Sequence, residues 1–412
     1  MRLTTGEMFR LAEVAAAKGD IETAAAIYRA LEGNPDAEVR AEARFRHAKQ
    51  LMKQGRNQQA AILLRRLLDE KPDAASVRIE LAHLLQMLGD SDAALRELRT
   101  AQATGLPPAV ARMVDRYSQA VRDSRPIGAS IEVAIAPDSN INHSTRSDTL
   151  GTVLGDFQID PESKATSGIG LSLRGQAFRR FGLGSSDHQL LARASGYADL
   201  YGKSRFNSIA ADLAFGPELQ LGRSRLNVEL GATQRWFGQE PFTSSARLGA
   251  IWTRPLGPRM QLRLAGTASL IDNHFNRLED GKSYSGQLQL ERALNSTTGL
   301  GLTLGLDRES LRDPGYSTTG WRASLLGWKD IGRATVTATG ELGRLNADER
   351  LLLFPEKRSE TYSRFTLAAT LRQLTFRGFA PVVRLTAERN KSTIEIYDFR
   401  RTRGEIAIVR AF

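Results

Sequence analysis

The chain has no cysteine among its 412 residues, so a disulfide framework and a thiolate metal site are both excluded. Its five histidines, His47, His83, His143, His188 and His274, are scattered without metal-ligand spacing. No apolar run approaches the roughly 18 residues that a membrane-spanning helix needs. Mean hydropathy is −0.33, which an α-helical membrane protein would not show but a barrel can. There is no G-x-S-x-G nucleophile elbow and no phosphate loop. The glycine-rich stretches Gly168-x-Gly170 and Gly299-x-Gly301-x-x-x-Gly305 fall inside alternating apolar and polar runs, where glycine suits a curved wall better than a nucleotide. His143 with Ser144, and His274 with Asp272, are the nearest approach to a catalytic grouping. These absences argue against an enzyme and imply no metal and no cofactor. The formal charge of +11 is dispersed among acidic residues rather than clustered with aromatics, so nucleic acid is not an expected partner. An apolar secretory leader is also missing: Met1-Arg2-Leu3-Thr4 runs directly into a polar helix.

What is present divides the chain in two. Residues 1–126 carry 6 of the 36 glycines and 4 of the 28 aromatics. They read as helical, with Gly19, Ala24, Tyr28 and Leu31 recurring as Gly55, Ala60, Leu64 and Leu67, then as Gly89, Ala94, Leu98 and Ala101. Pro35, Pro72 and Pro107 close the units. This spacing resembles tetratricopeptide repeats: glycine turns between two helices, a small alanine lets them pack, and proline stops the second. The usual large aromatic early in the first helix is missing, and a plain helical bundle is the alternative. A last helix over 108–122, with Val110, Met113, Val114 and Tyr117 on one side, is placed as a cap on the stack.

Residues 127–412 alternate with period two, as at Leu300, Leu302, Leu304 and Leu306, with Gly301, Thr303 and Gly305 between them. The polar face carries Arg193, Asp199, Glu229, Arg263, Glu291, Asp307, Glu341, Arg384 and Glu388. About fourteen such segments, apolar outside and polar inside, predict an antiparallel transmembrane β-barrel. Short connections at 182–186, 222–224, 257–259, 295–298, 331–333 and 375–379 alternate with longer ones at 137–164, 272–281 and 346–357, the asymmetry of an outer-membrane barrel. An exported barrel requires a leader, so the expectation is a mature chain or a misplaced start. The fold class is therefore an α-helical tetratricopeptide-like solenoid (1–126) followed by an outer-membrane β-barrel of about 14 strands (127–412).

The first strand, with Ile131, Val133 and Ile135 on one face, runs into Pro137-Asp138-Ser139-Asn140-Ile141-Asn142. These are residues that bond to local backbone and end a strand. The run begins like an EF-hand loop, but His143 stands at the sixth position and Thr149 at the twelfth, so a calcium loop is rejected. Shaping the strand exit and touching a passing substrate both remain open as roles for Pro137, Asp138, Ser139, Asn140 and Asn142. A helical-repeat domain, then this motif, then a roughly fourteen-stranded barrel resembles the surface lipoprotein assembly modulator (Slam) family. That resemblance spans the whole chain in architecture. It implies an outer-membrane factor, with its helical domain in the periplasm, that helps client proteins reach the cell surface. The clients it implies are surface lipoproteins and secreted haem- or metal-scavenging proteins. Barrel-assembly machinery, periplasmic chaperones and outer-membrane lipid are the other expected partners. Phe412 is the candidate insertion signal, because outer-membrane barrels commonly end on an aromatic. A seam is expected between the first strand (Ile131, Val133, Ile135) and the last (Ile406, Ile408). An exopolysaccharide export porin and a general porin share the layout and are the alternatives.

Overall fold

The computed structural model describes residues 3–88, 90–104, 106–107, 110–111, 113–114, 117–118, 121, 127–184, 188–332, 334–371, 374 and 379–410. Gly89 and Phe412, two of the residues singled out above, lie outside the described residues. Six helices are bounded among the described residues that come first: α1 (Thr5–Ala17), α2 (Ile21–Glu32), α3 (Ala37–Lys53), α4 (Asn57–Glu70), α5 (Ala75–Leu88) and α6 (Ser91–Ala103). Local chemistry sets their ends. A capping box between Thr4 and Glu7 starts α1, and the Asp20 carboxylate accepts from the Thr23 N–H to start α2. Gly19 and Gly55 turn the chain between paired helices at φ +82° and +73°, a region that costs an L side chain energy.

The repeat positions form the core of this domain. Ala24, Tyr28 and Leu31, then Ala60, Leu64 and Leu67, then Ala94, Leu98 and Ala101 are all buried. Small alanines bring helix axes close, and the leucines fill the space between them. Beyond α6, Val110, Val114, Tyr117 and Val121 join the cluster that holds Ala60, Leu64, Leu67, Ala94 and Leu98, while Ala24, Tyr28 and Leu31 belong to a separate one. Met113 does not: it is exposed, so the capping face is Val110, Val114 and Tyr117 without it.

Fourteen strands follow, closed into a barrel, as the alternation predicts. They are β1 (Ile127–Asp138), β4 (Gly168–Gly182), β5 (Gln189–Tyr201), β6 (Ser208–Leu221), β7 (Ser224–Phe237), β8 (Glu240–Pro255), β9 (Met260–Asn273), β10 (Gly281–Ala293), β11 (Thr298–Leu311), β12 (Thr318–Ile331), β13 (Ala334–Ala347), β14 (Ser359–Leu371), β15 (Phe379–Ser392) and β16 (Phe399–Arg410). A separate hairpin, β2 (Thr149–Thr152) and β3 (Gly155–Gln158), sits in the long connection after β1. Each barrel strand pairs antiparallel with its neighbours in sequence, and β1 meets β16 to close the ring. Strands of about 14 residues at 3.3 Å per residue, tilted by about 40°, rise about 35 Å, enough to cross a bilayer's hydrocarbon.

The two faces of the wall differ as period two requires. Leu230, Leu248, Leu270 and Leu306 stand exposed on the outside, while Glu229, Asn227 and Ser172 are buried on the inside. A water-free exterior of this kind is stable only in lipid, and closure leaves no strand edge unpaired there. Because the strand number is even, β1 begins and β16 ends on the same rim. That rim carries the short turns at 222–223, 256–259 and 294–297; the expected turns at 182–186, 331–333 and 375–379 lie partly or mostly outside the described residues. The opposite rim carries the connections at 139–167, 202–207, 274–280, 312–317, 348–358 and 393–398. One connection there is short: Gly238 and Gln239 form a two-residue hairpin with φ +60° and +76°, left-handed at both positions as a type I′ turn needs.

Candidate functional site at the barrel seam

Among the described residues the junction of β1 and β16 is the least completely paired in the ring. Along its other edge β1 pairs with β4 over its whole length, from Ile127 opposite Arg179 to Asp138 opposite Gly168. Toward β16 it pairs only from Glu132 (opposite Val409) to Ile135 (opposite Ile406), and again at Asp138 (opposite Arg403). Ala136 and Pro137 interrupt that ladder, and Pro137 has no N–H to contribute. On the other side of the gap, Ile127–Ile131 have no partner on β16 among the described residues. The seam residues predicted above fall where period two puts them. Val133 faces Ile408 and Ile135 faces Ile406, all four exposed on the outside, whereas Ile131 is exposed but has no β16 partner among the described residues.

Side chains complete what the backbone leaves open. The Asp138 carboxylate, fully buried, accepts from Arg401 Nε at 3.0 and 2.9 Å and also from its Nη2. It also accepts from the Asn140 N–H at 2.9 Å, which closes a local turn. The Ser139 N–H donates to the Thr402 carbonyl at 3.0 Å, and the Thr402 N–H donates to Ser139 Oγ at 2.8 Å. Asn140 is 0% exposed; its Nδ2 donates to the carbonyls of Ser144 (2.8 Å) and Arg400 (3.1 Å). Its Oδ1 accepts from the Ser144 N–H at 3.1 Å. Asn142 ties the same loop to its far end, through the Lys164 carbonyl and the Thr166 N–H at 2.9 and 3.0 Å. Pro137 packs outward against Gly404. Thus Asp138, Ser139 and Asn140 all bond directly to β16, on the long-loop side of the seam. Their oxygens and amides are committed to protein groups.

On the lumenal side the seam is crossed by charge. Arg384 of β15 reaches over β16 to Glu132 of β1 at 3.1 Å while also holding Glu405 of β16. Arg174 of β4 approaches the same two carboxylates from the other side, at 3.5 and 3.3 Å. Arg403 joins Glu405 (3.0 Å) to Asp199 of β5 (2.8 Å). Arg401 lies 3.4 Å from Glu388, which also pairs with Arg364 at 2.6 Å. Arginine suits this arrangement because its planar fork serves two carboxylates at once. Five arginines thus face five carboxylates, and the cluster is close to neutral. Sequence reasoning placed Asp199, Arg384 and Glu388 on the inner face but missed Arg401, Arg403 and Glu405. The run Arg400-Arg401-Thr402-Arg403-Gly404-Glu405, read with period two, is the signal that carries them.

The arrangement holds no nucleophile with an oriented base, and its chemistry is that of a closure. A short backbone ladder is supplemented by pairs whose partners can be exchanged for those of another strand.

The family model described as surface lipoprotein assembly modifier matches residues 129–412. The chain belongs to that family. Its model begins within β1 and takes in the motif and the rest of the barrel, the seam included. A tetratricopeptide repeat model matches residues 51–116, within the helical domain. A surface lipoprotein assembly modifier of Moraxella catarrhalis is 25% identical over 239 residues, covering 56% of this chain. The match spans 44% of that protein's own length. Among solved structures, a bacterial polysaccharide outer-membrane secretin (10% identity, 68% of this chain and 98% of that one) gives a TM-score of 0.35. An anion-selective porin of Comamonas acidovorans (10%, 69% and 99%) gives 0.38. Those scores are too low to carry over any property. Family membership and the lipid-facing wall together place this surface lipoprotein assembly modifier barrel in the outer membrane.

Proposed function

We propose that this chain is an outer-membrane translocation and assembly factor that helps client proteins, surface lipoproteins or secreted haem- or metal-scavenging proteins, reach the cell surface. Residues 1–126 act as the periplasmic domain that captures the client, and residues 127–412 carry it across. Barrel-assembly machinery and periplasmic chaperones deliver the barrel itself. The observation that carries this reading is the seam. A lateral route needs strands that separate without unfolding the wall, and among the described residues β1 and β16 share the shortest ladder in the ring. Along its β16 edge the stretch Ile127–Ile131 has no partner among the described residues, and there it offers N–H and C=O groups to an added strand. The motif Pro137–Asn142 then serves as the clasp that returns the seam to its closed state.

The charge balance bears on the alternatives. Export of an anionic polysaccharide requires a path biased to positive charge. The seam cluster is balanced, and elsewhere in the lumen Arg180 faces Glu218 and Arg322 faces Asp307 at 2.8 and 2.9 Å. The test is co-expression with a candidate lipoprotein client, read by antibody labelling of intact cells. Full-length protein is expected to display the client, and a chain lacking residues 1–126 is expected to leave a folded barrel without display. Normal display by the barrel alone would overturn the capture role.

A further inference from the structure

The helical domain is fixed to the barrel at a second place, far from where the chain enters β1. Arg78 of α5 is 3% exposed and makes three bonds: Nε to the Pro72 carbonyl (3.0 Å), Nη1 to Glu97 of α6 (2.6 Å), and Nη2 to the carbonyl of Ser296. Ser296 lies in the short turn between β10 and β11, and its hydroxyl donates to the Asp73 carboxylate. Arg99 of α6 reaches further. It pairs with Glu291 of β10 at 3.2 Å and donates to Gln261 Oε1 of β9 at 3.1 Å, both on the lumenal face. A crevice beside these contacts is lined by Arg65 and Arg78 from the helices, Pro72 from the connection between α4 and α5, Asp330 from the end of β12, and Thr297 and Gly332 from two short turns.

The strand order gives this contact its meaning. Counted from β1 in either direction, β10 is the seventh strand away, so it lies diametrically opposite the start of the barrel. With strands about 4.8 Å apart and tilted by about 40°, a ring of this size is roughly 28 Å across. A domain tethered to β1 and docked on β10–β11 lies across the opening. We infer that the helical domain is an autoinhibitory cap: the Asp73–Arg78–Arg99 latch holds it over the short-turn mouth and closes the lumen, and release of the latch opens it. The inference does not depend on what the client is. Arg99 and Glu291 are only partly buried, as a releasable contact requires. The fully buried Arg78 bonds the barrel only through a backbone carbonyl, which any residue at 296 supplies.

The experiment is single-channel conductance of the full chain in planar bilayers. Wild type is expected to conduct weakly, and Asp73→Ala/Arg99→Ala, which spares the helical core, is expected to conduct several-fold more. Because the chain has no cysteine, a triple variant Asp73→Cys/Arg99→Ala/Ser296→Cys adds a switch. It is expected to conduct like the released form when reduced and to fall to the wild-type level when oxidised. Equal conductance of wild type and the released form overturns the cap. So does a triple variant whose verified disulfide leaves conductance unchanged, and failure of that disulfide to form overturns the contact itself.

Discussion

Asp138→Asn isolates what the clasp contributes. The substitution keeps the side-chain volume but removes the charge and presents an amide where Arg401 donates from Nε at 3.0 and 2.9 Å. Removing one partner of a buried ion pair costs about 3–5 kcal/mol. Arg401 keeps Glu388 at 3.4 Å, so the expected loss is about 2–3 kcal/mol. It falls on opening of the seam rather than on the whole wall, because the remaining strand pairs are untouched. At 1.36 kcal/mol per tenfold, amide exchange at Glu132–Ile135 and Ile406–Val409 is expected to quicken about 30- to 150-fold. Asn140→Ala removes the bonds to Ser144 and Arg400 and is expected to do the same to a smaller extent. The control lies across the barrel, where Leu288 of β10 pairs with Leu304 of β11. Their amides are expected to exchange as in wild type. Unchanged exchange at the seam, or equal acceleration all round the ring, would refute the clasp.

Two further expectations concern charge. In the helical domain, the N–H and then the hydroxyl of Thr4 hold Glu7, and the hydroxyl and then the N–H of Thr23 hold Asp20, below the usual carboxylate range. Burial alone would raise Glu70, but Arg44 at 2.8 Å and Arg40 at 3.2 Å outweigh it and lower it as well. Groups depressed in the folded state stabilise it above their unfolded values, near 4, and that contribution disappears as pH falls through the folded values. The helical circular dichroism of detergent-solubilised protein is therefore expected to melt at progressively lower temperature below about pH 4.3; a melting temperature that is flat or rises there would count against it. In the barrel, Arg384→Glu is expected to disrupt the seam, because it sets a third carboxylate against Glu132 and Glu405. Arg263→Glu is expected to be mild, since Arg263 makes no ion pair among the described residues. Equal effects of the two reversals on seam exchange would contradict that assignment.

The fold was legible because each level of the sequence agrees with the others. Leu300, Leu302, Leu304 and Leu306 alternate with small and polar residues, and the lipid makes that alternation obligatory. The strand count followed from the punctuation between such runs, and the repeat positions Ala24, Ala60 and Ala94 marked the helical core. Reading Arg384 as one more inward-facing wall charge was incomplete: it bridges two carboxylates on different strands. That role depends on the register of β1 against β16, a pairing of residues more than 260 positions apart that no local pattern records. The same holds for Arg78 and Arg99, which read as ordinary helix-surface arginines until the barrel turn at Ser296 is set beside them. Met113 was misplaced because periodicity alone does not say which side of a terminal helix meets the stack.

The central claim is that the client passes where β1 meets β16, and a disulfide across that junction tests it most directly. Val133 and Ile408 are register partners, and directly opposed residues in an antiparallel pair have Cα atoms about 4.5–5.5 Å apart, within the range a disulfide spans. Val133→Cys/Ile408→Cys in a chain with no other cysteine gives one unambiguous crosslink. The account predicts that oxidised cells hold a folded barrel yet fail to display a client lipoprotein, and that reduction restores display. Normal display from a fully crosslinked barrel would contradict it and would move the route into the lumen.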